Sequence, residues 1–327
     1  MLPSPPLIGT TYPIQSYGVV LFFILSGFLV ALSTISKPDH DFRSYICDRF
    51  ARIYTAFVPA LLLVVFFDFV VISGERTAAH SFKTFVANLL MLQHTPFGRM
   101  IEGMPHFEPF GSARQFWTVP VEWWLYMLFG IVLFSGRSTM AERLLMGAAF
   151  VPAALVVGYF CIMESIGLLW LVGAAVAFAF FNHRGKTYLG LPLAVFLFFV
   201  VALAARFHVI DIGAVFNVYD IPFMFLTAAA FFAGLLFIPQ APWVRAVLSW
   251  SRPLWRWLAW ISYSLYLTHQ SLHYAFHARW GVSGWDDLAL LMALSILVAW
   301  AFTFLFDRHH KSVATWLKRR TAALLAR

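Results

Sequence analysis

Charged side chains are scarce in this sequence. Asp, Glu, Lys and Arg together make up 12% of its 327 residues, whereas hydrophobic residues make up 61%. A soluble globular domain typically carries about 25% charged residues, so this composition excludes that class. Cysteine is almost absent as well, with only Cys47 and Cys161. The sequence therefore contains neither a disulfide framework nor a cysteine-based metal motif.

Long apolar runs are what the sequence has in abundance. Most have about the 20 residues that an α-helix needs to cross a hydrocarbon core about 30 Å thick. Helices are expected because lipid offers no partner to an open strand edge. The sequence thus predicts an all-α, polytopic transmembrane helix bundle that forms a single membrane domain over residues 1–327. The nine predicted spans are 17–36, 53–72, 116–135, 144–163, 166–181, 189–208, 219–238, 258–276 and 286–306.

Basic residues fall in alternate gaps between these spans. Five segments hold 17 of the 23 Lys and Arg residues, and the segments on the other side hold five. Because basic loops stay in the cytoplasm, the C-terminus is expected to be cytoplasmic. The net charge of +8 then reflects topology and contact with anionic membrane lipids, and does not indicate nucleic-acid binding. The basic segments are 37–52, 136–143, 182–188, 239–257 and the tail 307–327.

The longest segment between spans is 73–115, which this topology makes an outer loop. Its apolar stretch 82–92 is expected to lie in the membrane interface or to dip partway into the membrane.

Small residues interrupt the first predicted span at Ser26 and Gly27. Small residues let helix backbones approach closely, so simple packing is the plainer interpretation and a pocket wall is the alternative.

The segment before the second span predicts an amphipathic helix on the inner membrane surface, because its apolar residues recur at helical spacing over 42–53. Its Arg49 and Arg52 either bind lipid phosphates or clamp the phosphates of a cytoplasmic ligand. A guanidinium suits the second task because it binds phosphate through two parallel hydrogen bonds.

A polar face runs along the third predicted span. It is formed by Gln115, Thr118, Glu122 and Tyr126, which recur at helical spacing. A carboxylate inside a span costs about 2.5–3.5 kcal/mol on insertion scales, so it is functional by default. Burial would also suit it to proton transfer. A structural hydrogen bond is the alternative, and Trp117 can equally belong to an interfacial belt.

A second polar face runs along the eighth predicted span. It is formed by Ser262, Tyr266, His269, His273 and His277. Three histidines at this spacing raise the question of a metal site. Only adjacent histidines could share an ion, and no carboxylate or cysteine completes the set, so no metal site is predicted.

Four phrases, in this order, resemble the integral-membrane acyltransferase family, the "acyltransferase 3" group of O-acyltransferases. They cover nearly the whole chain. Each phrase alone is weak, but their order on this helix count is fairly specific. The phrases are Phe-Phe-Ile-Leu-Ser-Gly-Phe-Leu at 22–29, Arg-x-x-Arg-Ile-Tyr at 49–54, Trp-Thr-x-x-x-Glu at 117–122 and Ile-Ser-Tyr-Ser-Leu-Tyr-Leu-x-His at 261–269.

Two departures from the family pattern matter. The family usually begins with a further helix that carries an Arg and a catalytic His, whereas the first His here is His40. We therefore expect the sequence as given to start one helix late, to lack the usual base and to be inactive in this form unless His269 substitutes for that base. The final helix usually ends in Glu-x-Pro, and here Asp307 takes the place of the Glu and the Pro is absent.

The resemblance implies a bacterial inner-membrane enzyme that moves an acyl group, often acetyl, from cytoplasmic acyl-CoA to a hydroxyl of a carbohydrate or lipid-linked acceptor. Acyl-CoA is then a co-substrate, and no bound cofactor is expected. Glu122 and His269 become the catalytic candidates and Arg49 and Arg52 the donor-binding pair. Two alternatives stay open, a catalytically silent binding relative and a solute carrier. The predicted pocket residues are Ser26, Gly27, Trp117, Thr118, Tyr126 and Tyr266.

Overall fold

A computed structural model describes residues 14–37, 39–72, 77–163, 166–182, 242–281 and 284–325. These residues are almost wholly helical and contain no strand, which confirms the all-α fold for this part of the chain. The α-helices are α1 Ile14–Ile35, α2 Phe42–Phe66, α3 Phe82–Leu89, α4 Phe97–Met100, α5 Thr118–Phe134, α6 Met140–Ile162, α7 Ile166–Asn182, α8 Pro242–Trp280, α9 Trp285–Leu305 and α10 His310–Leu325.

Five helical stretches are long and apolar enough to cross a membrane, which confirms the multi-span class. The predicted span 166–181 corresponds to the shorter α7, and 258–276 lies within the 39-residue helix α8. The predicted spans 189–208 and 219–238 lie outside the described residues, so the number nine stays a prediction. The five stretches are Gly18–Ile35, Phe42–Ile72, Arg114–Phe134, Glu142–Ile162 and Trp285–Ala323.

The described helices belong to two compact units. Of the described residues, the first unit contains 40–72, 77–157, 256–281 and 284–325, and the second contains 14–37, 39, 158–163, 166–182 and 242–255.

In the second unit, α1 and α7 pack backbone against backbone. A Cβ atom added at Gly27 would lie 2.0 Å from the Trp170 carbonyl oxygen, and one added at Gly173 would lie 2.2 Å from that of Ile24. The Trp170 indole Nε1 donates to Ser26 Oγ at 3.2 Å. Glycine is therefore required at 27, and the contact gives Ser26 and Gly27 the packing role that the sequence favoured.

We expect Gly27→Ala to lower the free energy of unfolding by about 2 kcal/mol, because the new methyl group overlaps a backbone carbonyl that cannot rotate away. Gly18→Ala on the same helix is the matched control, since nothing lies within 4 Å of its added Cβ. Both are measured by denaturant titration of the protein in mixed micelles. Equal stability of the two variants would contradict the close approach of α1 and α7.

In the first unit, α2 begins at the cap residue Asp41, whose side chain accepts from the Ser44 amide at 2.8 Å. It continues through a π-helical turn, Phe67–Ile72, as one run of 31 residues. This run is about 46 Å long. The predicted surface helix and the second span are thus one continuous helix. Part of the apolar face of its first turns packs against protein, because Tyr45 is buried against Phe129 and Phe134, whereas Phe50 is exposed. Its position on the inner membrane surface stays a prediction.

The predicted outer loop folds back along α2. Near the C-terminal end of this helical run, Gly111 N donates to Ala79 O at 3.1 Å and Ser112 N donates to the Asp68 carboxylate at 2.8 Å. Near its middle, the Tyr54 hydroxyl donates to Leu89 O at 2.9 Å. Asp68 and Tyr54 are separated by about 21 Å along the helix axis. The segment containing α3 therefore runs about 20 Å along the side of α2, and its position relative to the membrane stays a prediction.

Candidate active site

The polar faces of α5 and α8 meet in antiparallel order. Gln115 N donates to Gln270 Oε1 at 2.9 Å, and the Tyr266 hydroxyl donates to Gln115 O at 2.7 Å and contacts the Thr118 hydroxyl. One turn further along α5, the Glu122 carboxylate lies close enough to Tyr263 to interact with it electrostatically. The two faces predicted from the sequence are therefore in direct contact.

Glu122 is buried and hydrogen-bonded to a tyrosine. The Tyr126 hydroxyl donates to Glu122 Oε1, and the two residues are only 6% and 4% exposed. The Arg49 guanidinium carbon lies 5.6 Å from the centre of the Tyr126 ring and 5.7 Å from that of Tyr45. A cation over an aromatic face is attracted by the ring quadrupole. Arg49 is thus held next to the Glu122–Tyr126 pair.

Arg52 has a different environment from Arg49. Its Nη1 donates to Asp307 Oδ1 at 2.7 Å, and its guanidinium carbon lies 4.7 Å from the centre of the Tyr263 ring. The sequence predicts that the two arginines form an equivalent pair on the inner membrane surface. The structure packs both against protein and neutralises Arg52. Asp307, which takes the place of the family's Glu, supplies the counter-charge.

Tyr263 is the residue of this cluster that the sequence analysis missed. The helical spacing suggested Ser262, but Ser262 is exposed and its hydroxyl donates to Ala259 O of its own helix. Tyr263 is 8% exposed, and its hydroxyl has no hydrogen-bond partner among the described residues. The available signal was that Tyr263 carries a hydroxyl, lies inside the phrase at 261–269 and is next to Ser262, which was predicted to be buried.

His269 lies on the same helix, two turns beyond Ser262. Its Nδ1 lies 3.0 Å from both Leu265 O and Tyr266 O. Carbonyl oxygens only accept hydrogen bonds, so Nδ1 carries the proton and Nε2 is left as the basic nitrogen. This is the tautomer that a general base requires.

The other two histidines of the predicted face do not join this group. The Ser295 hydroxyl donates to Leu291 O, so His273 Nε2 donates to Ser295 Oγ at 2.9 Å. His277 is exposed. Among the described residues, no group of three His, Cys, Asp or Glu side chains could hold a metal ion.

Trp117 lies half-buried at the start of α5, where its ring meets His94 edge to face at 5.3 Å. Of the predicted pocket residues, Trp117, Thr118, Tyr126 and Tyr266 belong to the first unit. Ser26 and Gly27 belong to the second unit, where they contact Trp170. Their pocket role stays a prediction.

These features define a class of protein, a multi-span helical membrane protein with a buried carboxylate, arginines and tyrosines where two polar helix faces meet. Residues 2–304 match the family model described as "Acyltransferase domain", and the chain belongs to this family. The match confirms the resemblance found from the four sequence phrases.

A Bacillus subtilis (strain 168) protein named "Putative peptidoglycan O-acetyltransferase YrhL" is 22% identical over 279 residues. The matched region is 77% of this chain and 43% of that protein, so the chain spans less than half the length of this relative. No solved structure matches the chain.

Proposed function

We propose that the protein is a membrane O-acyltransferase that moves an acetyl group from a cytoplasmic acyl-CoA donor to a hydroxyl of a carbohydrate or lipid-linked acceptor. Family membership supports acyl transfer, and the name of the Bacillus relative supports a carbohydrate acceptor. The observation that carries the proposal is the buried Glu122–Tyr126 pair beside Arg49. The charge distribution supports a cytoplasmic C-terminus, and family membership supports a bacterial inner-membrane location.

Arg49 is the better donor-binding candidate of the two arginines. Arg52 already pairs with Asp307, whereas Arg49 makes no ion pair with a carboxylate in the described part of the chain. Its buried Nε also lacks a hydrogen-bond partner there. A guanidinium between two tyrosine rings is rigid and retains its charge for a phosphate group of the donor.

The reaction joins the acceptor hydroxyl oxygen to the acyl carbon as the carbon–sulfur bond breaks. A base takes the hydroxyl proton, which is finally delivered to the leaving thiolate. His269 Nε2 is the candidate base in these residues. Glu122 and Tyr126 form a hydrogen-bonded pair one turn beyond Thr118, and we assign them to proton transfer and to stabilising the charge that develops at the reacting centre.

The test is cleavage of acetyl-CoA by the purified full chain in lipid nanodiscs. Glu122→Gln is expected to lower the turnover number at least 100-fold, the range for loss of a group that takes part in proton transfer. Arg49→Ala is expected to raise the KM for acetyl-CoA with a smaller effect on turnover. Arg43→Ala is the matched control, because Arg43 is a partly exposed arginine of the same helix that pairs with Asp41.

Unchanged kinetics in both Glu122→Gln and Arg49→Ala would overturn the site assignment. Solute uptake into vesicles without thioester cleavage would favour a carrier. Binding of acetyl-CoA without cleavage would favour a silent relative.

A further inference from the structure

Two buried glutamines beside the Glu122 cluster are only partly satisfied by the protein. Gln93 is 0% exposed and Gln115 is 7% exposed. The side-chain nitrogen of Gln93 donates to Phe116 O at 3.3 Å, and that of Gln115 donates to Leu267 O at 3.1 Å. Both side-chain oxygens lack a hydrogen-bond partner among the described residues. Buried polar atoms without a partner are rare in folded proteins and call for an explanation.

The orientation of both amides is fixed by their partners. Backbone carbonyls accept hydrogen bonds only, so the NH₂ group of each glutamine must face its carbonyl and the oxygen must face away. For Gln93 this carbonyl is that of Phe116, which also accepts from the Thr118 backbone N–H. Each glutamine therefore presents an acceptor that only an O–H or N–H donor can satisfy.

The backbone around Gln93 is held in an uncommon conformation. Met91 and His94 have φ angles of 56° and 58°, in the left-handed region that residues other than glycine seldom adopt. His94 N donates to Phe107 O at 2.8 Å, and the Trp124 indole donates to Met91 O at 2.9 Å. Such strain persists only where the surroundings determine it, so the position of Gln93 is fixed before any ligand arrives.

Neutral polar groups and an aromatic ring lie next to Gln115. Its backbone N–H donates to Gln270, its carbonyl accepts from the Thr118 hydroxyl, and the half-buried Trp117 follows two residues later with its ring against His94. Gln115 lies seven residues before Glu122, about 10 Å along the helix. Few, well-placed polar groups on an apolar, aromatic surface are typical of a small-molecule site.

We propose that Gln93 and Gln115 form a subsite that binds hydroxyl groups of the carbohydrate acceptor, with Trp117 as the surface on which a sugar ring packs. This inference rests on the proposed function and assigns its acceptor to the end of α5 away from Arg49. The two amide oxygens accept from sugar hydroxyls, and as acceptors they have no hydrogen to donate to the phosphates of the polyanionic donor.

The test uses acetyl-CoA and a soluble β-1,4-linked tetramer of N-acetylglucosamine with the full chain in nanodiscs. Gln115→Met is expected to raise the KM for the saccharide about tenfold, as expected for loss of one neutral hydrogen bond, while the KM for acetyl-CoA stays unchanged. Leu267 lies inside continuous helix, so its carbonyl keeps a backbone partner in this variant. Gln93→Met is expected to change the two KM values in the same way and to be less stable than the wild-type protein.

A second measurement does not depend on turnover. The saccharide is expected to raise the unfolding temperature of the wild-type protein, and a tenfold higher concentration is needed for the same rise in Gln115→Met. Thr303→Val is the control, because Thr303 is equally buried but bonds Ser264 and its own helix.

Equal saccharide KM values and equal saccharide-induced stabilisation in wild type and Gln115→Met would overturn the subsite and leave the two oxygens to buried water. Absence of any stabilisation of the wild type by the saccharide would overturn it as well. Saccharide binding that depends on Gln115, in a protein that never cleaves acetyl-CoA, would support the subsite while contradicting the proposed reaction.

Discussion

Replacing Arg52 by alanine is expected to lower the free energy of unfolding by about 3 kcal/mol. Its partner Asp307 is only 4% exposed in its side chain, so the variant leaves a buried carboxylate without a counter-charge. His310 replaces the guanidinium only in part, because its Nδ1 bonds the Asp307 backbone carbonyl at 2.6 Å and lies 3.9 Å from Asp307 Oδ1. The expected value lies at the low end for buried pairs because the Arg52 side chain is 35% exposed. Titration with sodium dodecyl sulfate in mixed micelles measures the change.

Arg43→Ala is the control for this experiment as well. Arg43 lies on the same helix, but its partner Asp41 is 3.9 Å away and both side chains are more exposed. Such a surface pair contributes at most about 1 kcal/mol. The double variant Arg52→Met with Asp307→Leu is expected to recover much of the loss, since no charge remains buried. A cost of Arg52→Ala no larger than that of Arg43→Ala would show that this ion pair does not fasten α2 to the end of α9.

The sequence was sufficient for the properties that are local to one segment. Hydrophobic length predicted the helices, because the need to satisfy backbone groups in lipid acts on each span by itself. Helical spacing also placed Gln115, Thr118, Glu122 and Tyr126 on one face, and the contacts of Thr118 with Tyr266 and of Gln115 with Gln270 lie on that face.

Contacts between segments could not be predicted in the same way. Helical spacing assigns a residue to a face but not to a neighbouring helix, so Arg49 was placed at the membrane surface and not beside Tyr126. For the same reason Ser262 was chosen over Tyr263. The two residues are about 100° apart around the helix axis, and only packing decides which of them is buried.

The loop between the second and third spans shows a further limit of the sequence. Asn88 and Gln93 occur in a segment where polar residues are ordinary, so nothing in their spacing marks them. Their importance comes from the backbone groups that they bond, such as the Phe116 carbonyl bonded by Gln93. Nothing in the sequence indicates which loop residue reaches that carbonyl.

Asn88→Leu is expected to cost about 4 kcal/mol of unfolding free energy, more than any other single change discussed. Asn88 is 0% exposed, and its side chain donates to Thr84 O and Glu108 O and accepts from Phe110 N. Leucine has a similar volume, so the loss comes from buried peptide groups left unsatisfied in a segment without regular structure. Faster hydrogen exchange over residues 105–113 and earlier unfolding in dodecyl sulfate are the two measurements.

Thr268→Val is the matched control for Asn88→Leu. Thr268 is 1% exposed, but its hydroxyl donates only to Ser264 O, a carbonyl inside continuous helix. The change is expected to cost less than about 1.5 kcal/mol, because no peptide group loses its only partner. If both variants unfold at the same dodecyl sulfate concentration, Asn88 does not hold the loop that contains α3 in place. Since Gln93 lies on the same loop, Asn88→Leu is also expected to weaken saccharide binding, which Thr268→Val leaves unchanged.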